Sequence, residues 1–517
     1  MRKGKQRSES LLVKHLRVGL GLVAFLIWIA AGTTEARTSS IRGRPLKVLK
    51  HSKAVQIPKR LPPASFLHKE ASASIDAWLA RPELANSLVG VDLMDIASGE
   101  ELICFNGRRR FTPASTAKLF VTACAYETLG PAFTYKTRFC TKGTISGERL
   151  DSDVLVAPSQ DPTFSRGDLT QMLIALKARG IHEISGKFVL ADVPGGGERF
   201  VAEWMSEDWA QDWMPVSSSL VIDRNVSSPS FLASAKSSVS GAAESTNALS
   251  KTLLASDYTP GWLSFENNSH SVSVWRAKSP DGSQPLKVVA NPDAYNMALV
   301  NDMAGQLGIK AQGHANWFVG LRANSVLIDH ESAPLARILK TTLKESDNLY
   351  AQQILRTLGL SQPSKDSKNP LNLEQRGLQK IISWLETLGV PSHEVVLWDG
   401  CGLSRKDCIS PHALNTVLRH MALHAETSSY LALLNRATIS PQGSFQFKTG
   451  AMDSVRGITG ILENFEGRRF AFTVLINGHS PSVSELRTSI GALINQLAQA
   501  QMSDLKKTKL EPTKKIH

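Results

Sequence analysis

Pro113-Ala114-Ser115-Thr116-Ala117-Lys118-Leu119-Phe120 places a serine three residues ahead of a lysine, at the head of an apolar run. Three residues is close to one helical turn, so the two side chains share a face and can meet. A hydroxyl is a weak nucleophile until a neighbouring base takes its proton, and an uncharged lysine amine can be that base. Taken alone, the spacing is that of an ordinary solvated helix turn. One other Ser-x-x-Lys occurs, Ser503 to Lys506, in a charged tail without apolar partners. What Ser115 means therefore depends on its surroundings.

Upstream, Ser74 to Leu79 reads as a short helix. Leu88 to Ile96 alternates loosely and Glu101 to Asn106 follows a Ser98-Gly99-Glu100 turn, which predicts a hairpin leading into Ser115. Downstream, Leu119, Phe120, Ala123 and Cys124 form the inner side of a helix that Gly130-Pro131 stops. Residues 136–332 change texture, rich in Ser, Gly and Asn. Short strands at Asp153–Ala157 and Lys187–Ala191, helices at Leu169–Arg179 and Ala294–Leu307, and a Ser227–Ser250 surface loop read as an α/β insertion. From Ala333 the helical period returns, with apolar stripes at Leu335, Ile338, Leu339, Leu343 and at Leu349, Ile354, Leu355, Leu358. A polar Gln362–Asn369 loop, two further helices and strands at Ser444–Lys448, Ile458–Asn464 and Arg469–Ile476 precede a last helix, Val483–Ala498. A hairpin at the front and strands at the back predict an α+β fold: one antiparallel sheet built from both chain ends and covered by helices. The catalytic domain is then discontinuous, 64–135 with 333–502, and 136–332 is inserted.

The chain ends carry a different signal. Six bases among residues 2–17 precede an apolar Val18–Gly32 run and small residues before Ala36, the pattern of a secretory signal peptide, removed or kept as an anchor. Export to the periplasm follows. The formal charge of +13 is concentrated at the ends: residues 1–36, the basic linker 37–63 and the tail 503–517 account for it, and the body between is slightly acidic. That distribution excludes a nucleic-acid surface spread over the fold; basic ends suit solvated linkers or weak contact with an anionic membrane surface. Five cysteines are an odd number for an exported chain. Cys401 with Cys408 is the best disulfide candidate, Cys104 with Cys140 a second, and Cys124 is expected to be a buried thiol. None has metal-ligand spacing, and the reading includes no metal and no cofactor.

Two further motifs stand out. Ser346-Asp347-Asn348 lies on a tight connection between two apolar helices, which can hold a hydroxyl and an amide rigidly over a cleft. The other Ser-x-Asn cases, at Ser245 and Ser367, fall in polar loops. Lys448-Thr449-Gly450, the one Lys-Thr-Gly in the chain, ends a strand before Ala451. A lysine beside a hydroxyl suits a carboxylate, and the glycine would let substrate backbone approach closely.

Ser-x-x-Lys, Ser-Asp-Asn and Lys-Thr-Gly in this order are the signature of penicillin-binding proteins and class A β-lactamases. From about residue 70 to 495 the chain resembles the class C penicillin-binding proteins, the D-alanyl-D-alanine carboxypeptidase/endopeptidase family of peptidase S13 type. Ser332-Ala333-Pro334-Leu335, the Asp399-Gly400-Cys401-Gly402-Leu403-Ser404-Arg405 loop, Asp161-Pro162-Thr163 and Ile222-Asp223-Arg224-Asn225 extend the resemblance, as does the long gap from Ser115 to Ser346. Class A β-lactamases have a shorter gap, and no Glu-x-x-Leu-Asn occurs here.

The resemblance implies a penicillin-binding transpeptidase-like fold and a serine DD-peptidase acting on peptidoglycan stem peptides, blocked covalently by β-lactams. It implies Ser115 as nucleophile, Lys118 as base with a pKa lowered by burial and by Lys448, and Ser346 passing a proton to the leaving amine. Asn348 would orient Lys118 and the substrate amide. Lys448 and Thr449 would hold the terminal carboxylate, and the backbone N–H groups of Ser115 and Ala451 would form the oxyanion hole. Arg405 matches a substrate-facing arginine, and Asp192 falls where the family places an acid for the stem-peptide side chain. Three departures mark this chain: Ala451 and Cys401 each replace a serine, and Val193-Pro194-Gly195 differs from the usual surroundings of that acid. A β-lactamase or esterase, or a non-catalytic wall-binding protein on the same fold, are the competing readings; an intact Ser115, Lys118 and Lys448 count against the last.

Overall fold

A computed structural model describes residues 69–191, 201, 203–205, 208, 213, 214, 216–227, 274–276, 287–289, 292–319, 325–362, 371–424, 427–439, 443–479 and 483–499. The predicted signal peptide, basic linker and tail, Asp192, and most of the Ser227–Ser250 and Gln362–Asn369 loops lie outside the described residues.

Helix α1 (Lys69–Leu79) precedes the predicted hairpin, β1 (Leu88–Asp95) and β2 (Glu101–Phe105). Strand alternation sends Val91 and Leu93 toward Trp78 of α1, while Met94 joins the core on the other face. A 3-10 turn, Ala114–Ala117, runs directly into α2 (Lys118–Leu129). Every residue from Lys118 to Tyr126 is buried. This helix is covered all round, not along the single stripe the sequence suggests, and such helices lie inside a fold. Gly130 ends it at φ 85°.

The stretch after α2 builds its own sheet from β3 (Lys136–Thr141), β4 (Val154–Ala157), β5 (Phe188–Ala191), β6 (His314–Val319) and β7 (Ser325–Glu331). Their order is β6-β5-β4-β3-β7. The β4–β5 and β5–β6 pairs are parallel, and α3 (Arg166–Ala178) lies in the crossover from β4 to β5 that a parallel pair requires. With α4 (Pro292–Gln306) it encloses a separate core around Phe139, Leu173, Phe188 and Tyr295. Strand β7 returns to β3 and sets Glu331 opposite Lys136, so the stretch starts and ends side by side.

Four helices follow: α5 (Leu335–Lys344), α6 (Asn348–Leu360), α7 (Leu373–Thr387) and α8 (Pro411–Leu423). The α5 stripe is buried as read. Then come β8 (Asn435–Ile439), β9 (Gly443–Met452), β10 (Val455–Glu463), β11 (Arg469–Asn477) and α9 (Val483–Gln499). The sequence reading lacks β8, a polar edge strand whose Arg436, Ala437 and Thr438 are exposed and show no alternation to read. The main sheet runs β8-β9-β10-β11-β1-β2, antiparallel throughout, with Val91 opposite Val474 where the two chain ends meet. Helices α1 and α9 cover one face, joined by a 2.9 Å hydrogen bond from Trp78 Nε1 to Ser489 Oγ; α2 and α8 cover the other. The α+β reading holds. Among the described residues no helix is long and apolar enough to cross a membrane.

All five cysteines are described, and all are unpaired thiols. Neither predicted disulfide is formed. Cys104 sits on β2 of the main sheet and Cys140 on β3 of the other. Cys408 pairs with Val396 in a two-stranded ladder, whereas Cys401 is fully buried in a loop folded over Asp399.

Candidate active site

Ser115 and Lys118 meet because the turn is tighter than the one expected from the sequence. A 3-10 helix has three residues per turn, so positions i and i+3 eclipse. Lys118 Nζ lies 2.9 Å from Ser115 Oγ. The turn is held by Pro113 O, which accepts from Thr116 Oγ1 at 2.7 Å and from its backbone N at 3.3 Å. Ala114 adopts φ 47°, a left-handed conformation that costs a non-glycine residue about 1–2 kcal/mol. Two glycines hold that turn in place. A Cβ on Gly402 would fall 2.0 Å from Ala114 O, and one on Gly450 would fall 2.6 Å from Pro113 O. The close approach that Gly450 permits is thus to the chain's own nucleophile turn, where the sequence suggested substrate.

Lys118 is fully buried. It also reaches Asn348 Oδ1 at 2.6 Å and the carbonyl oxygen of Cys401 at 2.6 Å. Neither of those oxygens can donate. A neutral amine has two protons and one lone pair, so with both protons engaged there, the lone pair faces Ser115 Oγ–H, the one partner able to give a proton. Burial pushes the Lys118 amine down from its ordinary value, against the pull of Cys401, Asp399, Asp347 and Asp407. The expected depression by Lys448 falls the other way: Lys448 is pushed down to about 6, first by burial and then by Lys118. Two neighbouring buried amines cannot both stay charged cheaply.

Ser346 and Asn348 come from the α5–α6 connection. Ser346 takes φ 58°, which turns the chain between the helices, and Asp347 caps α6 by accepting from the Tyr350 backbone at 3.0 Å. Arg224, which the sequence tied to the same family pattern, pairs with Asp347 at 2.7 Å. Lys448 Nζ, almost wholly buried on β9, donates to Ser346 Oγ at 2.8 Å and to Thr449 O at 2.8 Å. Asn348 Nδ2 donates to Trp213 O at 2.9 Å; in this arrangement a backbone carbonyl, not a substrate amide, takes that end. Thr449 and Ala451 are exposed on the same strand.

The Asp399–Arg405 loop supplies what sequence reasoning missed. The Asp399 carboxylate accepts from Cys401 N at 2.8 Å, Ser404 N at 2.8 Å, Gly402 N at 2.5 Å and Trp204 Nε1 at 2.7 Å. That wraps the loop so that Cys401 O faces Lys118 and Gly402 seats on Ala114. The Asp-Gly pair and the glycine two residues on were the available signals. Exposed Arg405 donates to Asp453 O at 2.9 Å, at the turn beyond Ala451. Ser115, Lys118, Ser346, Asn348, Lys448 and the strand Thr449-Gly450-Ala451 are therefore brought together, Arg405 at their edge; Asp192 lies outside the described residues.

A sequence profile of the D-Ala-D-Ala carboxypeptidase 3 (S13) family matches residues 71–499. The chain belongs to the S13 family. A relative in Actinomadura sp. (strain R39), D-alanyl-D-alanine carboxypeptidase, is 26% identical over 468 residues, covering 84% of this chain and 86% of that protein. The D-alanyl-D-alanine carboxypeptidase DacB of Haemophilus influenzae is 26% identical over 442 residues, covering 80% and 90%. The crystal structure of penicillin binding protein 4 from Haemophilus influenzae superposes with a TM-score of 0.62 at 23% identity, over 83% of this chain and 98% of that one. The S13 fold is shared, and the penicillin-binding architecture expected from the motifs is the one present.

Proposed function

We propose that this S13-family chain is an exported serine DD-peptidase that cleaves the bond following a D-Ala residue in peptidoglycan stem peptides, D-Ala-D-Ala or a D-Ala-diaminopimelate cross-link. One observation carries the reading. Lys118 is buried, and its two non-donating partners, Asn348 Oδ1 and Cys401 O, leave a lone pair for Ser115 Oγ–H. The named activities of its relatives in Actinomadura and Haemophilus influenzae agree with it.

In this mechanism Ser115 Oγ attacks the D-Ala carbonyl while Lys118 takes its proton, assistance worth roughly 10²–10⁴ in rate. The tetrahedral oxyanion rests between the backbone N–H groups of Ser115 and Ala451. On collapse the C–N bond breaks, and the proton passes from Lys118 through Ser346 to the leaving amine. Lys448, with Thr449, holds the terminal carboxylate. Water, deprotonated by the same amine, releases the acyl group. A β-lactam acylates Ser115 but keeps its opened ring in place, so it inhibits. The division into a catalytic part, 64–135 with 333–502, and an inserted part, 136–332, belongs to this proposal, as do the roles of Arg405 and Asp192, periplasmic export by the N-terminal segment and weak membrane contact through its bases.

Fluorescent penicillin separates the readings. A lasting label on the wild type that is lost in Ser115→Ala supports the peptidase; rapid turnover points to a β-lactamase, and no label to a binding protein. A mass-resolved digest of wall fragments then assigns the bond cleaved.

A further inference from the structure

We infer that Asp92, Glu101 and Cys104 form a binding site for a divalent transition metal, with Zn2+ the best match, in the layer between the front hairpin and helix α8, and that His412 closes on the bound metal as a fourth ligand. The site shares no residue with the Ser115 constellation.

The hairpin builds three of the ligands. Asp92 stands opposite Cys104 in the β1–β2 ladder, so their side chains share a face. Glu101 is an odd number of residues from Cys104 and would point to the opposite face in a regular strand. Between Leu93 and Met94 the register shifts, and Glu101 stands opposite Met94. This bulge returns Glu101 to the face of Asp92 and Cys104, and re-aiming a side chain is what bulges do. One carboxylate oxygen from each acid and Cys104 Sγ lie within 4.8 Å of one another.

Two of these atoms point into the cluster without a partner. Asp92 is fully buried; Asn415 Nδ2 binds its Oδ1, and Oδ2 has no hydrogen-bond partner. Glu101 Oε1 is likewise buried and unpartnered, while Arg108 holds Glu101 Oε2 at 2.9 Å. Space in front of the donors is kept by Gly107, where a Cβ would fall 2.8 Å from Cys104 Sγ and 2.9 Å from Asp92 Oδ2.

The three clustered donors do not include His412; on the first turn of α8, it is the imidazole that a side-chain shift would bring in as the fourth ligand. His412 Nδ1 bonds Glu394 Oε2 at 2.9 Å, leaving Nε2 facing Glu101 Oε1 at 3.8 Å. That separation is too long for a hydrogen bond. A zinc tetrahedron with Zn–N and Zn–O bonds of about 2.0–2.2 Å has an N···O edge of about 3.3–3.6 Å, so the pair would draw together by a few tenths of an ångström on binding. A carboxylate on the far nitrogen is the usual support of a metal-bound imidazole. Sulfur and imidazole among the donors favour zinc over calcium or magnesium. With the metal bound through four protein ligands, the site is structural. It clamps α8 to the hairpin where His412 N also reaches Gly107 O at 2.9 Å, at the start of the loop that leads to Ser115.

The test loads full-length protein with ZnCl2, removes excess metal by desalting and measures retained zinc by mass spectrometry, beside melting curves with and without chelator. About one equivalent is expected, as for a four-ligand site, with a chelator-reversible rise in melting temperature. Cys104→Ala and His412→Gln should each lower retention at least tenfold, and Gly107→Ala should do so without removing a ligand. Cobalt(II) in place of zinc should give a thiolate charge-transfer band that Cys104→Ala abolishes. Wild type retaining no zinc overturns the proposal, as does undiminished retention by a Cys104→Ala protein that circular dichroism shows folded. Penicillin labelling at Ser115 reads the proposed peptidase activity separately.

Discussion

Lys448 Nζ lies 2.8 Å from Ser346 Oγ, tying strand β9 to the connection between α5 and α6 across 102 residues of sequence. Every hydrogen-bond partner of Lys448, and of Lys118 beside it, among the described residues is a neutral oxygen. Two buried amines without a hydrogen-bonded carboxylate make a site waiting for negative charge.

A ligand carboxylate at Lys448 should therefore bring a proton with it. At pH 7 the amine, pushed down to about 6, is mostly neutral; a bound carboxylate favours the cation and raises the value again. Calorimetry of a D-Ala-D-Ala-terminated peptide with Ser115→Ala in buffers of different ionisation enthalpy should show uptake of close to one proton. No buffer dependence would mean that Lys448 is already charged.

The same depression sets a stability trend. In the unfolded chain Lys448 titrates near its ordinary 10.5, in the fold near 6. Between those values the unfolded state binds more protons, so stability rises with pH through that window and this contribution is flat below it. Lys448→Met removes the term: the melting temperature of the wild type should climb more steeply from pH 6 to pH 9 than that of the variant.

Arginine keeps its proton throughout the accessible pH range. Lys118→Arg should consequently leave the protein folded but slow acylation by penicillin by roughly 10²–10⁴, the usual worth of a general base. Stopped-flow labelling gives the number. A loss below tenfold would assign proton abstraction to another group.

These partners explain what was readable beforehand. Ser115 and Lys118 were legible because any helical turn near three residues aligns them. Cys401 O and Trp213 O were not, because a backbone carbonyl is the same on every residue. The Cys401–Cys408 bridge was misread from spacing alone: Asp399 organises that loop from inside, a role that a lone aspartate in sequence does not declare. The Asp92 cluster was hidden for a related reason, since only a one-residue register shift brings Glu101 to it. The sheet was legible through the loose alternation of β1 and the apolar runs of β10 and β11, and β8 was not, being short, with polar Asn435, Arg436 and Thr438 and an exposed middle.

Gly450 offers a direct test of the corrected reading. If its lack of a side chain serves the nucleophile turn, Gly450→Ala forces Pro113 O, 2.6 Å from the new Cβ, and Thr116 N, 3.0 Å away, to retreat. The acylation rate should then fall at least tenfold even for small β-lactams. A glycine kept only to admit a peptide backbone would instead slow peptide substrates and spare acylation by penicillin.

Asp399→Asn probes the loop that positions Lys118. The carboxylate takes four N–H donors on two oxygens. An amide offers one oxygen, and its NH2 must face donors at the other position. Lost hydrogen bonds to a charged group are worth about 1.5–3 kcal/mol each, so the melting temperature should drop by several degrees. If the carboxylate merely braces the fold, acylation measured well below melting is unchanged. If it sets the Cys401 carbonyl against the Lys118 amine, the acylation rate falls by about an order of magnitude, and its pH profile shifts because one of the two acceptors that hold the neutral amine in register has moved.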